Sequence, residues 1–470
     1  MKRLAGMLRI FQQYYPIRNI LFYFIEGCVI FGSVLLSSVL LTFSPSYLFD
    51  FMLFIRIFLV TMVCQIALYY NDLYDFQVAS NIPEITIRLL QSLGVSAIVL
   101  AAIYYVFPLA IIGQGTFALS IVFLLVFIIG WRMLYIIVLN KGFFNKKVII
   151  LGGSDLAFDI YREVEANIDC GYTITVLMPE SESDTKGSTI PSDRVMTTGR
   201  ADLCRTALDL GVEKVVVALK ESRGNFPTKN LLACRTAGME VLEGNSFYEQ
   251  LTGKLLVKRI NPSWLIFSSG FRKSRTVTAL KRLSDIVMSV ALLILLAPLF
   301  LVTAIALKLD SKGPVFFSQD RVGQNKKEYM MHKFRSMVAD AEKKTGPVWA
   351  RDNDDRITRV GRIIRKVRID ELPQLWNVLI GNMSMVGPRP ERKHFTDELE
   401  EKIPYYSERF VVKPGITGWA QVCYDYGASI EDAVEKLNYD LFYIKNLSLM
   451  MDLMIILRTI KTVLFGKGAR

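Results

Sequence analysis

Four apolar runs fill the first third of the chain: Ile20 to Phe43, Phe51 to Tyr70, Leu89 to Leu109 and Thr116 to Leu139. Each approaches the ~20 residues that a helix needs to cross the hydrocarbon core of a bilayer. Residues 1–145 are therefore expected to form four transmembrane helices. Glu26, Arg56 and Arg132 are the charges inside these runs, and such charges are costly in lipid unless paired, turned inward or near an end. Arg56 can snorkel, whereas Glu26 has no explanation in the sequence. Lys2, Arg3, Arg9 and Arg18 precede the first run, Lys141, Lys146 and Lys147 follow the fourth, and the first and third loops carry no Lys or Arg. The positive-inside rule then places both ends of the bundle in the cytoplasm. The first run lacks a small-residue cleavage signal and reads as an uncleaved anchor.

From Lys147 the pattern changes to short β-rich runs alternating with helical ones. That is the rhythm of a parallel, Rossmann-like α/β domain, expected over residues 146–250. Its first turn, Gly152-Gly153-Ser154-Asp155-Leu156-Ala157, imitates the dinucleotide fingerprint but puts Ser at the second glycine. Backbone must approach a pyrophosphate there, so a structural or regulatory module is the stronger reading. The polar stretch Pro179 to Arg200 reads as a surface loop.

Ile286 to Leu307 is again long enough to span, with no charge in twenty-two residues. Both flanks are basic, however: Arg272, Lys273, Arg275, Lys281 and Arg282 before it, and Lys308, Lys312 and Arg321 after it. A single crossing would put one basic flank outside, against the orientation rule. Pro298 near the middle removes a helix hydrogen bond and clashes with the preceding turn. The expected element is a re-entrant membrane helix, 284–309, that dips in and returns. An ordinary fifth span is the alternative, and it would strand the C-terminal region on the far side. The terminal stretch from Ser448 is expected as an interfacial helix or a short core helix.

Hydrophobic residues make up 52% of the 470 and the net charge is +12. The basic residues flank apolar segments rather than forming one tract, so anionic lipid and anionic substrate are the expected partners and nucleic acid is not. The six cysteines are scattered without a C-x-x-C pair, which signals neither a disulfide framework nor a zinc site. With only His332 and His394 present, catalysis must lean on carboxylates, Lys and Arg.

Those residue types concentrate in four clusters: Lys333-Phe334-Arg335-Ser336-Met337, Arg365 to Leu375, Val386-Gly387-Pro388-Arg389-Pro390, and Lys413 to Val422. Arg forks onto phosphate oxygens and Lys acts as a point charge, as a pyrophosphate site requires. The adjacent carboxylates Asp370 and Glu371 can supply a nucleophile that splits one displacement into two, and they suit Mg²⁺ shared with substrate phosphate oxygens. Singly, each cluster has a structural explanation, such as a helix cap or a rigid turn.

The order and spacing of the four clusters resemble the bacterial polyprenyl-phosphate glycosylphosphotransferases, the monotopic phosphoglycosyl transferases. The resemblance covers about Lys281 to Lys467. Residues 1 to 270 resemble the large exopolysaccharide members, with four spans and a Rossmann-like insert. Phe247 to Gly253 and Pro262-Ser263-Trp264-Leu265 look like the join of one subgroup. A linker is thus expected over 251–275 and a catalytic domain over 276–470. The resemblance implies that Asp370 attacks the β-phosphate of a UDP-sugar, UDP-glucose or UDP-galactose at the level of the family. UMP leaves and undecaprenyl phosphate accepts the sugar-phosphate. Glu371 would lie beside Mg²⁺, and Lys333, Arg365 and Arg389 would handle phosphates, with Arg335 and Arg321 as further candidates. The resemblance also implies the cytoplasmic face of a bacterial inner membrane and admits a homodimer. Many members carry Ser before the helix-breaking proline, where this chain has Ala297, so the break rests on Pro298. Two other readings compete. A nucleotide-sugar dehydratase would need a second glycine-rich turn after residue 270, and none is there. A scaffold or regulator of polysaccharide assembly predicts a degenerate Asp370 site, yet the carboxylates and cations are intact.

Overall fold

A computed structural model of the chain describes residues 7–10, 13–42, 50–74, 82–113, 115–140, 145–181, 191, 194–196, 202–220, 226–260, 270–271, 273–338, 356–424, 427 and 429–464. The basic residues Lys2, Arg3, Lys141 and Arg272, most of the 179–200 loop and the join residues Pro262 to Leu265 lie outside them. Two compact units emerge, Met1–Ile10 with Tyr14–Phe247, and Phe11–Gln13 with Tyr248–Arg470.

In the first unit a short strand pair, β1 (Met7–Ile10) and β2 (Gln13–Pro16), precedes four long helices: α1 (Ile17–Thr42), α2 (Phe51–Tyr70), α3 (Ile82–Val106) and α4 (Thr116–Asn140). All four are long and apolar enough to cross a membrane. The third begins at Ile82 rather than Leu89, because its first turns hold Glu84 and Arg88, which pair with each other at 2.9 Å. Charge-paired first turns continue a helix that a hydropathy window alone does not see. Ile30, Val34, Ile57, Leu68, Leu89, Leu124 and Ile128 pack at the centre. Gln65 Nε2 donates to the Tyr23 carbonyl at 3.0 Å, and a Cβ at Gly27 would come within 2.7 Å of that amide, so glycine lets α1 and α2 approach. Glu26, unexplained in the sequence, is met by Arg132 at 2.7 Å, and both are almost fully buried. Arg132 also donates to the Leu73 carbonyl and lies over the Phe22 and Tyr74 rings, fastening the segment after α2 to α1 and α4.

A parallel sheet follows in the same unit: β3 (Lys146–Leu151), β4 (Tyr172–Met178), β5 (Lys214–Val217) and β6 (Glu240–Glu243), in the order β4-β3-β5-β6. Val195 adds a parallel bridge to Leu177 of β4. Helices α5 (Asp155–Ala166), α6 (Leu203–Asp209) and α7 (Thr228–Thr236) connect the strands, and α8 (Gly244–Thr252) follows β6. Val148, Ile149, Ile150, Val215 and Val216 are fully buried, the continuous apolar runs expected of strands covered on both faces. In the fingerprint turn, Ser154 donates to the Ala218 carbonyl at 2.7 Å and caps α5 through the Ala157 amide. Gly152 has φ 128°, and a Cβ there would lie 2.0 Å from the Ala218 oxygen. Strand packing alone therefore accounts for that glycine.

The main segment of the second unit begins at Tyr248, within α8, and takes in the residues the sequence suggested were a linker. Leu255, Val257 and Ile260 are buried in its main core with Trp419, Leu437, Leu441 and Tyr443. Trp419 Nε1 donates to the Gly253 carbonyl at 2.8 Å. Helices α9 (Arg275–Leu295) and α10 (Ala297–Asp310) are bent by 60° across Leu296. Pro298 sits in the first turn of α10, where its missing N–H costs nothing. Lys281 pairs with Asp452 at 2.6 Å, Arg282 donates to the Val378 and Leu379 carbonyls, and Asp285 accepts from Ser384 Oγ and the Met385 amide. These bonds anchor α9 to the segment that carries the third sequence cluster. The terminal helix, Leu449–Leu464, divides its faces: Met451 and Ile455 are buried, while Met450, Leu453 and Leu457 are exposed.

Candidate active site

The first cluster lies on a hairpin of β7 (Phe316–Val322) and β8 (Glu328–Phe334), paired antiparallel with Phe317 opposite Lys333. Fully buried Asn377 holds β8 from behind, accepting from the His332 amide at 3.0 Å and donating to the Met330 carbonyl at 2.7 Å. The second cluster starts with α11 (Arg359–Lys366), capped by Thr358 Oγ1 on the Gly361 amide. Arg368 then adopts a left-handed backbone, φ 55°, which ends the helical path and starts a 3₁₀ turn, Ile369–Glu371. Such a conformation in a residue other than glycine costs on the order of 1 kcal/mol. Ile369 and Leu372 pack against Leu307, Phe334 and Ile364. This apolar contact fixes the turn on which Asp370 and Glu371 sit. Pro373 leads into α12 (Gln374–Ile380).

The third and fourth clusters form one unit of structure. β9 (Ser384–Val386) and β10 (Gly415–Thr417) pair in parallel. A Cβ at Gly387 would lie 2.3 Å from the Lys413 carbonyl oxygen, and one at Gly415 would lie 2.1 Å from the Gly387 nitrogen. The glycines of both motifs thus exist to let two backbones touch. Lys413 to Gly418 is the platform on which the Arg389 loop rests.

These elements converge on the carboxylate pair. Glu371 Oε1 accepts from Lys333 Nζ at 2.9 Å and from Arg389 Nη2 at 3.1 Å, and Oε2 lies 3.6 Å from Arg368 Nη1. Burial by itself would raise the pKa of Glu371, but Lys333, Arg389 and Arg368 outweigh it and hold the group well below the usual carboxylate range. Asp370, 9% exposed, accepts no hydrogen bond among the described residues. Burial first, and the Glu371 charge second, push its pKa up to about 6 against the pull of Lys333, Arg365 and Arg389. Two neighbouring carboxylates are thus driven apart, one a firmly ionised anchor and the other an unbonded oxygen pair that titrates near neutrality.

Lys333, Arg365 and Arg389 therefore lie around the pair. Arg335 does not, because its guanidinium donates to the Ser311 and Lys312 carbonyls at the end of α10. Arg321 stands behind Arg389, donating to the Pro390 carbonyl at 3.1 Å. Arg368 was missed in the sequence, although its place two residues before Asp370 was a signal. Among the described residues no group of three or more His, Cys, Asp or Glu side chains forms a metal cluster.

Residues 276–466 match the bacterial sugar transferase family. The exopolysaccharide production protein PSS of Rhizobium leguminosarum bv. phaseoli is 43% identical over 195 residues, 40% of this chain and 98% of that protein. The chain belongs to the bacterial sugar transferases, the polyprenyl-phosphate glycosylphosphotransferases. All four clusters fall within the sugar transferase match. The UDP-N-acetylgalactosamine-undecaprenyl-phosphate N-acetylgalactosaminephosphotransferase of Aeromonas hydrophila is 43% identical over 240 residues, 51% of this chain and 56% of that relative. The undecaprenyl-phosphate glucose phosphotransferase of Komagataeibacter xylinus is 44% identical over 194 residues, 40% of this chain and 36% of its own. The chain thus spans about half or less of the length of these two relatives.

Proposed function

We propose that the chain transfers a sugar 1-phosphate from a UDP-sugar to undecaprenyl phosphate, releasing UMP, through a covalent phosphosugar on Asp370. The observation that carries this reading is the contrast between the two carboxylates. Glu371 is bound by cations through both oxygens, whereas Asp370 keeps its oxygens unbonded among the described residues. In the first step a carboxylate oxygen of Asp370 attacks the β-phosphorus. The bond from that phosphorus to the bridging oxygen breaks, and its electron pair leaves with UMP. In the second step a phosphate oxygen of the lipid attacks the same phosphorus, the acyl-phosphate bond breaks, and Asp370 returns as a carboxylate with a lipid diphosphosugar as product.

Lys333, Arg365, Arg368 and Arg389 lie around the two carboxylates, and cations so gathered suit a diphosphate. Asp370, whose oxygens accept no hydrogen bond among the described residues, would hold a Mg²⁺ ion together with substrate oxygens, with Glu371 beside it engaged by Lys333, Arg389 and Arg368. When bound, Mg²⁺ would neutralise charge developing on the diphosphate.

The membrane placement is part of the same reading. The α9–α10 pair is taken as the re-entrant element, supported by the 60° bend, by exposed Val287, Ile294, Leu301 and Ile305, and by basic residues at both ends. Exposed Trp376 and Ile380 on α12 suit a headgroup plane, where a nucleophile can meet a soluble dianion and a lipid phosphate. The flanking charges support the cytoplasmic face, and the family supports a bacterial inner membrane. A Rossmann-like class for the α/β domain is supported by the strand order Val195-β4-β3-β5-β6. Exopolysaccharide initiation is the proposed role. UDP-glucose and UDP-galactose head the donor panel, and the Aeromonas relative's name adds UDP-N-acetylgalactosamine.

The test is UMP release by the purified chain with undecaprenyl phosphate and each of these donors. One donor is expected to support release in the native chain and none in Asp370→Asn. Turnover by Asp370→Asn overturns the mechanism.

A further inference from the structure

We propose that Arg409 is a positioning residue that acts through Arg389, a role that rests on the reading of Asp370 and Glu371 given above. Arg389 reaches Glu371 at 3.1 Å on a long side chain, so its aim depends on where its backbone is held. Pro388 and Pro390 remove two backbone N–H groups from this loop. Its carbonyls are the remaining handles, and three in succession are taken. The Pro388 carbonyl accepts from the Gly415 amide at 3.0 Å, the Arg389 carbonyl from Arg409 Nη2 at 2.9 Å, and the Pro390 carbonyl from Arg321 Nη1 at 3.1 Å.

Arg409 is itself immobilised. It lies in the 3₁₀ turn Tyr406–Val411, is 7% exposed, and shares Nη2 with Asp440 Oδ2 at 3.0 Å. Its Nη1 donates to Tyr406 Oη, and its guanidinium lies 5.0 Å from the Tyr406 ring centre. Asp440 comes from the helix Ile430–Asn446, so the donor that fixes Arg389 is held from two elements. A buried ion pair adds little net stability over well-packed apolar residues. What it does provide is a planar fork whose directions a lysine cannot reproduce.

The experiment is a double-mutant cycle on the purified full chain, with kcat and KM measured for UDP-glucose and UDP-N-acetylgalactosamine with undecaprenyl phosphate. Arg409→Lys is expected to lower kcat/KM on the order of tenfold to a hundredfold in the native background. In an Arg389→Lys background it is expected to cost less than about twofold more, because the residue it acts through is already altered. Equal losses in both backgrounds overturn the proposal and leave Arg409 a structural residue. If Arg409→Lys does not fold, Tyr406→Phe, which removes the hydroxyl that accepts from Arg409 Nη1, runs the same cycle with a smaller loss, and additivity there overturns the proposal equally. Asp370→Asn is measured alongside. If it retains turnover, the underlying reading fails, whereas a silent Asp370→Asn with an additive cycle refutes only the positioning role.

Discussion

Two buried carboxylates in this molecule meet cations in opposite ways. In the helical bundle Glu26 and Arg132 form a closed pair, 0% and 2% exposed, whose charges cancel. At the candidate active site Glu371 meets Lys333, Arg368 and Arg389, and Asp370 beside it accepts no hydrogen bond among the described residues. A buried pair of opposite charges inside a helical bundle serves to hold helices together. Several cations gathered around a carboxylate that accepts no hydrogen bond among the described residues suit an anionic ligand. Burial of charge is common to both, so it does not identify a site; a second carboxylate that accepts no hydrogen bond among the described residues does.

The comparison can be broken in descending order of expected effect. Asp370→Asn is expected to lower transfer on the order of 10⁴-fold or more, because the nucleophile is lost while Glu371 keeps its cations. Glu26→Gln is expected to cost about 3–5 kcal/mol of stability by leaving Arg132 buried and unpaired. Thermal unfolding in detergent checks it, and turnover per folded molecule is expected to stay unchanged. Replacing both partners with apolar residues is expected to recover much of that loss. Lys333→Met, which removes the cation 2.9 Å from Glu371, is expected to reduce kcat/KM by about 10² to 10³. If Glu26→Gln impaired chemistry and Lys333→Met only stability, the distinction would collapse.

The pH dependence sharpens the contrast. The reaction needs Asp370 as a carboxylate, and its pKa is raised to about 6. Activity is therefore expected to be full above that value and to fall about tenfold per unit well below it. Lys333 lowers this pKa, so the acid limb of Lys333→Met is expected at higher pH. Smallest is Arg335→Lys, expected to cost about 1 kcal/mol through lost bonds to the Ser311 and Lys312 carbonyls, with catalysis little changed.

What was legible in the sequence follows from the range of the interaction. Asp370 and Glu371 are neighbours, and a single turn presents both, so their pairing needed no tertiary knowledge. The apolar runs revealed the bundle because lipid demands continuous hydrophobic length. Arg335 misled because it stands two residues from Lys333, a spacing that shares a face only while the strand continues, and β8 ends at Phe334. Glu26 meets Arg132, Arg321 the Pro390 carbonyl, and Arg409 both Asp440 and the Arg389 carbonyl; these partners come from distant segments, and one chain carries no local signal of them. The linker expected over 251–275 shows the same limit, since Leu255 and Val257 become core only through α-helical partners far along the chain.

The covalent step can be observed directly. Incubation of the native chain with the active UDP-sugar, in the absence of undecaprenyl phosphate, is expected to release one equivalent of UMP. It should also add the mass of a sugar phosphate to the peptide that contains Asp370, and later addition of undecaprenyl phosphate should remove it. UMP release that waits for the lipid acceptor, with no mass added to that peptide, would contradict the assignment of Asp370 as the nucleophile.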